Sequence, residues 1–579
     1  MIKKTIFVVL LIILGILLYL NPNFETISAG VAILLFGMIM LEEGFKVFTK
    51  GPLQNLLKKA TNKLYKSISV GAFVTALIQS SSLVSVVTIS FISAGLITLA
   101  QGLGLIFGAN IGSTATAWLV AGFGLKIKIS ALAMPMLVFG VIFTFQKKET
   151  LKGIGNILAG LGFFFLGIYF MKEGFDVFSQ HIDLTQYAVP GFYGVILYTG
   201  IGILITIILQ SSAATLVLVL TALAAGQIEY QNALALAIGS NVGTTITAVL
   251  GSLGSNIAGK RLAGAHLIFN LVTGIVALVL IHPLANFVDK LSEIIHIGKT
   301  DFTLKLALFH TIFNVLGVII MLPFIKKLER FLLKIVKGKL DKDKDVDEPK
   351  YLNPAVLEFP GTAISALINE SKYLFKNSVF EIVAHALNIH REDIKSNEKV
   401  KAIVEKSQTD FKTDIDDLYY SKVKSIYGQI IKYASTAQGS LKLNNKQTKT
   451  ITDIRIANRK MVEIIKEAKE LNKNLRQALN LDNIYLQEEY NSYRKKLTKV
   501  LRLIYLFRTE NGSTHKHAQK LKHLKKQATA NVRQSNESID KLIRKNLITP
   551  EMASSLFNDY GNVNDMIKKL IYVAQLLYG

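Results

Sequence analysis

Gln79, Ser80, Ser81 and Ser82 stand in "LIQSSSLVSVV" (77–87), and Gln210, Ser211 and Ser212 stand in "LQSSAATLVLV" (209–219), two stretches otherwise as apolar as membrane spans. A lone Ser in an apolar helix usually bonds back to the carbonyl one turn earlier. Three adjacent Ser point in different directions around a helix, and a Gln amide is not expected to satisfy itself that way, so the clusters predict a polar interior. The Gly-rich segments that follow, "GANIGSTAT" (108–116) and "GSNVGTTIT" (239–247), are poor at continuing a helix. Unwound backbone at membrane depth is tolerated only where it lines a cavity or lies buried in protein.

Such residues suit two kinds of ion. Helix N-termini and Ser hydroxyls can donate to an anion such as phosphate or sulfate. The oxygens of Gln79, Gln210, Asn110, Asn241, Thr114 and Thr245 can ligate a small hard cation. Residues 1–260 contain no Arg, and the central spans lack Asp and Glu, so the expected site is built from neutral dipoles. Each ion would then lower the desolvation cost of the other, a physical reason for coupled binding.

The elements that position these residues form a repeat. "LFGMIMLEEGFKVF" (35–48) returns as "FLGIYFMKEGFDVF" (165–178), 130 residues later, keeping Gly37/Gly167, Glu43/Glu173, Gly44/Gly174 and Phe48/Phe178. "GAFVTALIQSSS" (71–82) matches "GILITIILQSSA" (202–213), and the two Gly-rich segments match each other, at an offset of 131. Lysines orient the copies. Lys46, Lys50, Lys58, Lys59, Lys63 and Lys66 mark the first copy's loop as cytoplasmic, whereas Lys172 with Glu173, Asp176 and Asp183 marks the equivalent loop as external. The copies therefore enter the membrane from opposite sides, the arrangement of many secondary transporters. If each QSS segment is a hairpin returning to its own side, the topology closes, at the expense of leaving Lys126 and Lys128 outside.

Half of the 579 residues are hydrophobic, yet the formal charge is +25, a combination that suggests two unlike parts. Apolar stretches recur up to about Phe324, and the remainder is Lys-rich with helical periodicity. The excess Lys fits cytoplasm and anionic lipid, and there is no nucleic-acid motif. With no Cys there are no disulfides, thiolate metal sites or thiol catalysis. "MIKKTIFVVLLIILGILLYLNPNF" has a basic start but no small-x-small cleavage site after Leu20, and reads as a retained first span.

The expected fold is all-α: a polytopic membrane bundle of two inverted repeats with re-entrant hairpins, followed by a cytoplasmic helical bundle. Its expected parts are an N-terminal transmembrane helix (1–26), a membrane domain (27–325, with repeats 27–150 and 157–325), a charged linker (326–350) and a helical tail (351–579).

"QSSS" at 79–82 and "QSSA" at 210–213, each followed by G-x-N-x-G, closely resemble the type II sodium-dependent phosphate cotransporters and their bacterial relatives. The motif is specific because it occurs twice in register. The resemblance covers about 27–325 and implies a multi-pass protein of the inner (plasma) membrane that moves inorganic phosphate with sodium as coupling ion and no other cofactor. It places phosphate at Gln79, Ser80, Ser81, Ser82, Gln210, Ser211 and Ser212, and sodium at Gln79, Asn110, Thr114, Gln210, Asn241 and Thr245. The second copy departs at Ala213, where the first has Ser82.

The tail resembles PhoU-type bundles, which commonly hold metal through E-x-x-x-D pairs. Here Asn458 stands where an Asp would fall, and Asp565 is preceded by Gly561 at the Glu position. Asp410 and Asp414 form an i, i+4 pair more typical of a solvated face. The expectation is a tail without metal, regulatory or partner-binding, with room for a homo-oligomer. Thr549 and Pro550 are expected to open the last long helix.

"AHLIFN" (265–270) and "FHTIFN" (309–314) share H-x-x-F-N. Each His is most simply a satisfied core residue. The functional alternative makes His266 or His310 a proton sensor and Asn270 or Asn314 a bridge between helices. Phosphate export by the same fold, or signalling through the tail, are the competing functions. Enzyme chemistry is not expected: no G-x-S-x-G occurs, and no His or Asp lies close in sequence to the QSS sites.

Overall fold

The computed structural model describes residues 2–48, 63–126, 129–180, 183–337, 346–407, 414–509, 514–530 and 532–579. Lys50, Lys58, Lys59, Lys128, Asp410 and most of the acidic linker segment lie outside the described residues. Among the described residues there is helix and no strand. The chain divides into two units, Met1–Lys339 with Asn353–Ala355, and Leu340–Leu352 with Val356–Gly579.

In the first unit, seven described helices are long and apolar enough to cross a membrane: Phe24–Phe48, Leu99–Gly124, Glu149–Ser179, Gly191–Leu209, Tyr230–Ser252, Ile257–Val279 and Phe302–Ile335. Ile39, Phe73, Val138, Ile208 and Ile275 are each more than half exposed, an apolar exterior suited to lipid. Beyond Phe324, Ile325–Ile335 continues as a helix that buries Ile325, Leu328 and Leu332, so part of the expected linker is ordered helix.

Pro22–Phe48 and Glu149–Ser179, the opening long helices of the two sequence copies, pack against each other along most of their length. The pairing is antiparallel: Gly30 meets Gly167 and Met171, and Gly44 meets Gly153 and Ile157. Glycine recurs every seventh residue on both faces, at Gly30, Gly37 and Gly44 and at Gly153, Gly160, Gly167 and Gly174. A Cβ on Gly37 would lie 2.6 Å from Phe164 N and 2.7 Å from Gly160 O. Backbone thus packs on backbone, the contact available to helices that gain nothing from hydrophobic burial in lipid.

The same device seats both QSS hairpins. A Cβ on Gly108 would fall 2.0 Å from Ile68 O and one on Gly239 2.1 Å from Thr199 O, while one on Gly71 or Gly202 would fall 2.2 or 2.4 Å from the carbonyl oxygen of Leu105 or Leu236. Each contact recurs 131 residues on. "GANIGSTAT" is continuous helix within Leu99–Leu119, and "GSNVGTTIT" is interrupted only at Thr244, between Tyr230–Gly243 and Thr245–Ser252. The expectation of unwound Gly-rich segments is therefore corrected. These glycines lack a Cβ because a neighbouring carbonyl occupies its place, and that packing outweighs their low helix propensity.

The second unit is a bundle dominated by Asn445–Asn480, Ile484–Thr509 and Pro550–Tyr578. Asn444 and Gln447 cap the first of these reciprocally, and Thr549 caps the last with Pro550 in its first turn, as expected. Arg494, 1% exposed, crosses the core and donates to Leu387 O (2.8 Å), Val404 O (3.2 Å) and Ser407 Oγ (2.8 Å). Burial lowers this guanidinium to about 10, which leaves it charged at neutral pH. Asn458 is buried against Ser371 Oγ and Ile454 O, and exposed Asp565 pairs with Lys568. Asp414 caps a short helix through Asp416 N.

Gly37→Ala is expected to lower the detergent-solubilised protein's stability by about 1–3 kcal/mol through overpacking. Gly200→Ala, where nothing lies within 4 Å of the added carbon, is expected to be neutral or slightly stabilising. Thermal unfolding of the two variants checks the contrast.

Candidate functional site

Both QSS segments make the same turn. Leu64–Ile78 ends at Gln79, which takes a left-handed conformation (φ 58°, ψ 24°), and Gly191–Leu209 ends at Gln210 (φ 52°, ψ 24°). A non-glycine residue there is uncommon and costs energy that the surrounding packing must cover. The next residue, Ser80 or Ser211, is extended, and its hydroxyl accepts the amide of Leu83 (3.2 Å) or Ala214 (3.1 Å), capping Ser81–Ser93 or Ser212–Ala224. Each new helix has 13 residues and rises about 20 Å, short of the ~30 Å hydrocarbon core. The preceding helices differ, with 15 residues in the first copy and 19 in the second.

The two apices share one cavity of about 350 Å³, lined by Leu35, Met38, Ile39, Glu42, Gln79, Ser80, Ser81, Ser82, Leu209, Gln210, Ser211, Ser212 and Ala213. All seven residues assigned to phosphate are therefore brought together. In the first turns, the amides of Ser81, Ser82, Ser212 and Ala213 have no carbonyl of their own helix to meet. Three grooves of the second unit are larger, about 430, 610 and 420 Å³, but contain none of the expected site residues.

Two helix N-termini, each equivalent to about half a positive charge, thus face one space. Their sum of about one charge balances a monovalent oxyanion and leaves a dianion roughly one charge short, a deficit that a bound cation would fill.

Two expectations need correction. Gln79 does satisfy its amide locally: Nε2 donates to Ala76 O, while Oε1 accepts from Thr116 Oγ1 at 2.8 Å. The left-handed turn swings the side chain back over the last helical turn, which a Gln within a regular helix could not do. The lining is also not wholly neutral, because Glu42 reaches it from Pro22–Phe48, with Oε2 3.5 Å from Ser80 Oγ and Oε1 3.0 Å from Lys46 Nζ. Glu42 was missed because it lies near a lysine-rich loop. The signal in the sequence was its i, i+4 pairing with Lys46, which allows a carboxylate to stay within an apolar helix.

The copies differ in one hydroxyl, with consequences. Ser82 Oγ lies 3.3 Å from Thr247 Oγ1, joining the first hairpin to the second copy. Thr116, the equivalent of Thr247, faces a copy with Ala213 in place of that Ser, and its hydroxyl goes to Gln79 instead. Gln79 is thereby held at both ends of its amide, whereas the exposed side chain of Gln210 has no hydrogen bond among the described residues.

Asn110, Thr114, Asn241 and Thr245 are buried but do not line the cavity. Thr114 and Thr245 donate to Ile111 O (2.7 Å) and Val242 O (2.8 Å), so their oxygens keep lone pairs for a cation. The two Asn differ. Asn110 Nδ2 donates to Ile106 O, and its Oδ1 accepts no hydrogen bond among the described residues. Asn241 is engaged at both ends, Nδ2 donating to Asn314 Oδ1 (2.7 Å) and Oδ1 lying 3.1 Å from His310 Nε2. Because Asn314 Nδ2 donates to His310 O, the amide orientations are fixed in series, and His310 Nε2 must carry the proton. Asn314 is thus a bridge between helices, and His310 is a core donor. Asn270 bonds back to His266 O.

Comparison with known proteins finds relatives of the first unit. Residues 33–173 and 194–309 match the family described as Na+/Pi-cotransporter. The match lies within the first unit and covers under half of the chain. YjbB of Escherichia coli (strain K12), provisionally named an inorganic phosphate export protein, is 30% identical over 346 residues, 59% of this chain and 61% of YjbB. The uncharacterized protein YqeW of Bacillus subtilis (strain 168) is 27% identical over 319 residues, covering 54% of this chain and 98% of YqeW. Human sodium-dependent phosphate transport protein 2B is 26% identical over 194 residues, 28% of either chain. The matched region thus spans under two thirds of YjbB. No solved structure gives a significant match. With seven described helices long and apolar enough to cross a bilayer, and this similarity to a transporter family, the chain is a multi-pass membrane protein.

Asn110→Ala and Asn241→Leu are expected to part company. The first should leave the unfolding temperature nearly unchanged and raise the sodium concentration needed for half-maximal phosphate binding several-fold. The second should cost about 1–3 kcal/mol of stability, because it strands His310 Nε2 and Asn314 Oδ1.

Proposed function

We propose that this protein moves inorganic phosphate across the membrane together with sodium, at a site shared by two repeats of opposite orientation. The observation that carries this reading is the single cavity into which both QSS apices project their free first-turn amides and hydroxyls. Phosphate lies between the N-termini of Ser81–Ser93 and Ser212–Ala224, held by Ser80, Ser81, Ser82, Ser211 and Ser212. Gln79 is the preorganised ligand and Gln210 the one that closes on the substrate. Sodium supplies the positive charge that two helix ends leave unmet, through oxygens drawn from Gln79, Gln210, Asn110, Thr114 and Thr245. The first copy contributes more of them, because Asn241 is committed to His310 and Asn314.

Opposite orientation of the repeats is supported by the antiparallel pairing of Pro22–Phe48 with Glu149–Ser179 and by the lysine distribution. The tail is a PhoU-like cytoplasmic domain, regulatory in role. Export is the second reading, favoured by the name of YjbB; the same site serves either direction, and the ion gradients set which one operates.

Labelled phosphate uptake into proteoliposomes tests the proposal. Uptake should fall at least tenfold when sodium is replaced by potassium. Gln79→Ala and Gln210→Ala should each remove the sodium-dependent component while leaving the protein folded. Normal transport by both variants would contradict a shared site.

A further inference from the structure

A carboxylate in an anion-binding cavity requires an explanation. Glu42 lines the same space as Ser80, Ser81, Ser82, Ser211 and Ser212, is about one-third exposed (31%), and directs Oε2 toward Ser80 Oγ. An ionised carboxylate is an acceptor only. A fully deprotonated oxyanion is also an acceptor only, so the two in contact would repel and leave lone pairs unmet. Either a cation must lie between them or the anion must bring a proton of its own.

The geometry at Glu42 leaves one carboxylate oxygen open to such a proton. Its other oxygen, Oε1, is 3.0 Å from Lys46 Nζ, and that ammonium also meets Glu43 Oε1 at 3.0 Å. Lys46 therefore engages Oε1 but is shared between two carboxylates, and Oε2, on the cavity side, has no cationic partner among the described residues. The lone pairs of Oε2 remain available to an O–H donor. Hydrogen phosphate carries such a group and sulfate, near neutral pH, does not. The second copy has Lys172 at the position equivalent to Glu42, 130 residues on, so only one half of the site carries this carboxylate.

We propose that Glu42 is a specificity-determining residue, accepting a hydrogen bond from the protonated oxygen of the bound oxyanion and thereby admitting hydrogen phosphate while rejecting sulfate. This rests on the reading of the cavity as a phosphate site. A site built to receive a hydrogen bond discriminates against an analogue that lacks the donor, because two acceptors in contact repel each other.

The test is displacement of labelled phosphate by sulfate from the full-length purified protein in sodium, for wild type, Glu42→Gln, Glu42→Ala and Glu42→Asp. Sulfate is expected to compete weakly with the wild type and with Glu42→Asp. In Glu42→Gln, whose amide can donate to sulfate, and in Glu42→Ala, which no longer opposes it, the inhibition constant for sulfate relative to phosphate should fall at least tenfold. Unchanged rejection of sulfate by both variants would overturn the inference. So would a raised sodium requirement with sulfate still excluded, which would make Glu42 a cation ligand. A wild-type protein that binds no phosphate would instead defeat the underlying reading of the site.

Discussion

A helix that stops inside an apolar surround leaves first-turn amides without a carbonyl of their own helix, and much else in the first unit follows from providing for them. At each QSS apex the chain makes one left-handed residue, caps one amide with its own Ser hydroxyl, and presents the remaining amides to a common cavity. The arrangement is costly unless something negative occupies that cavity. An oxyanion would do so, and two helix ends would hold about one of its charges. On the proposed reading, the remaining charge of a dianion is the physical reason for a coupling cation, set by the geometry of the turn.

The apices stay in place because backbone packs on backbone beneath them. Gly71 with Leu105 O and Gly108 with Ile68 O seat the first hairpin, and Gly202 with Leu236 O and Gly239 with Thr199 O seat the second. Between the opening helices, glycine every seventh residue allows the close antiparallel contact that brings Glu42 and Met38 to the cavity wall. Polar bonds then differentiate two otherwise equivalent halves. Ser82 bonds across to Thr247, Thr116 turns to Gln79, and His310 with Asn314 closes off Asn241.

The sequence made legible what depends on residue type and order: the repeat, the place of the polar clusters, their convergence, and the helix starts at Thr549 and Pro550. It misled where the deciding partner lies far along the chain. Gly108 and Gly112 look like helix breakers until Ile68 O and Ala72 O are seen occupying the space of their missing Cβ atoms. Gln79 looked unable to satisfy itself because its left-handed backbone is imposed by tertiary packing, in a residue type that does not announce it. Glu42 looked like the edge of a basic loop, and only packing of its helix against the apices makes it part of the site. The engagement of Asn241, against the openness of Asn110, depended on His310 and Asn314, whose shared motif suggested a bridge without naming what it would hold.

The central claim, that both apices form one ion-coupled site, is most directly tested by substrate protection. The chain has no cysteine, so Ser81→Cys and Ala213→Cys, made separately, each give a single reactive thiol at one apex. With sodium present, phosphate should slow thiol modification at both positions with the same half-protecting concentration, and should lose that effect at both when potassium replaces sodium. Protection at one apex alone, or at the two with unrelated concentrations, would contradict a single shared site.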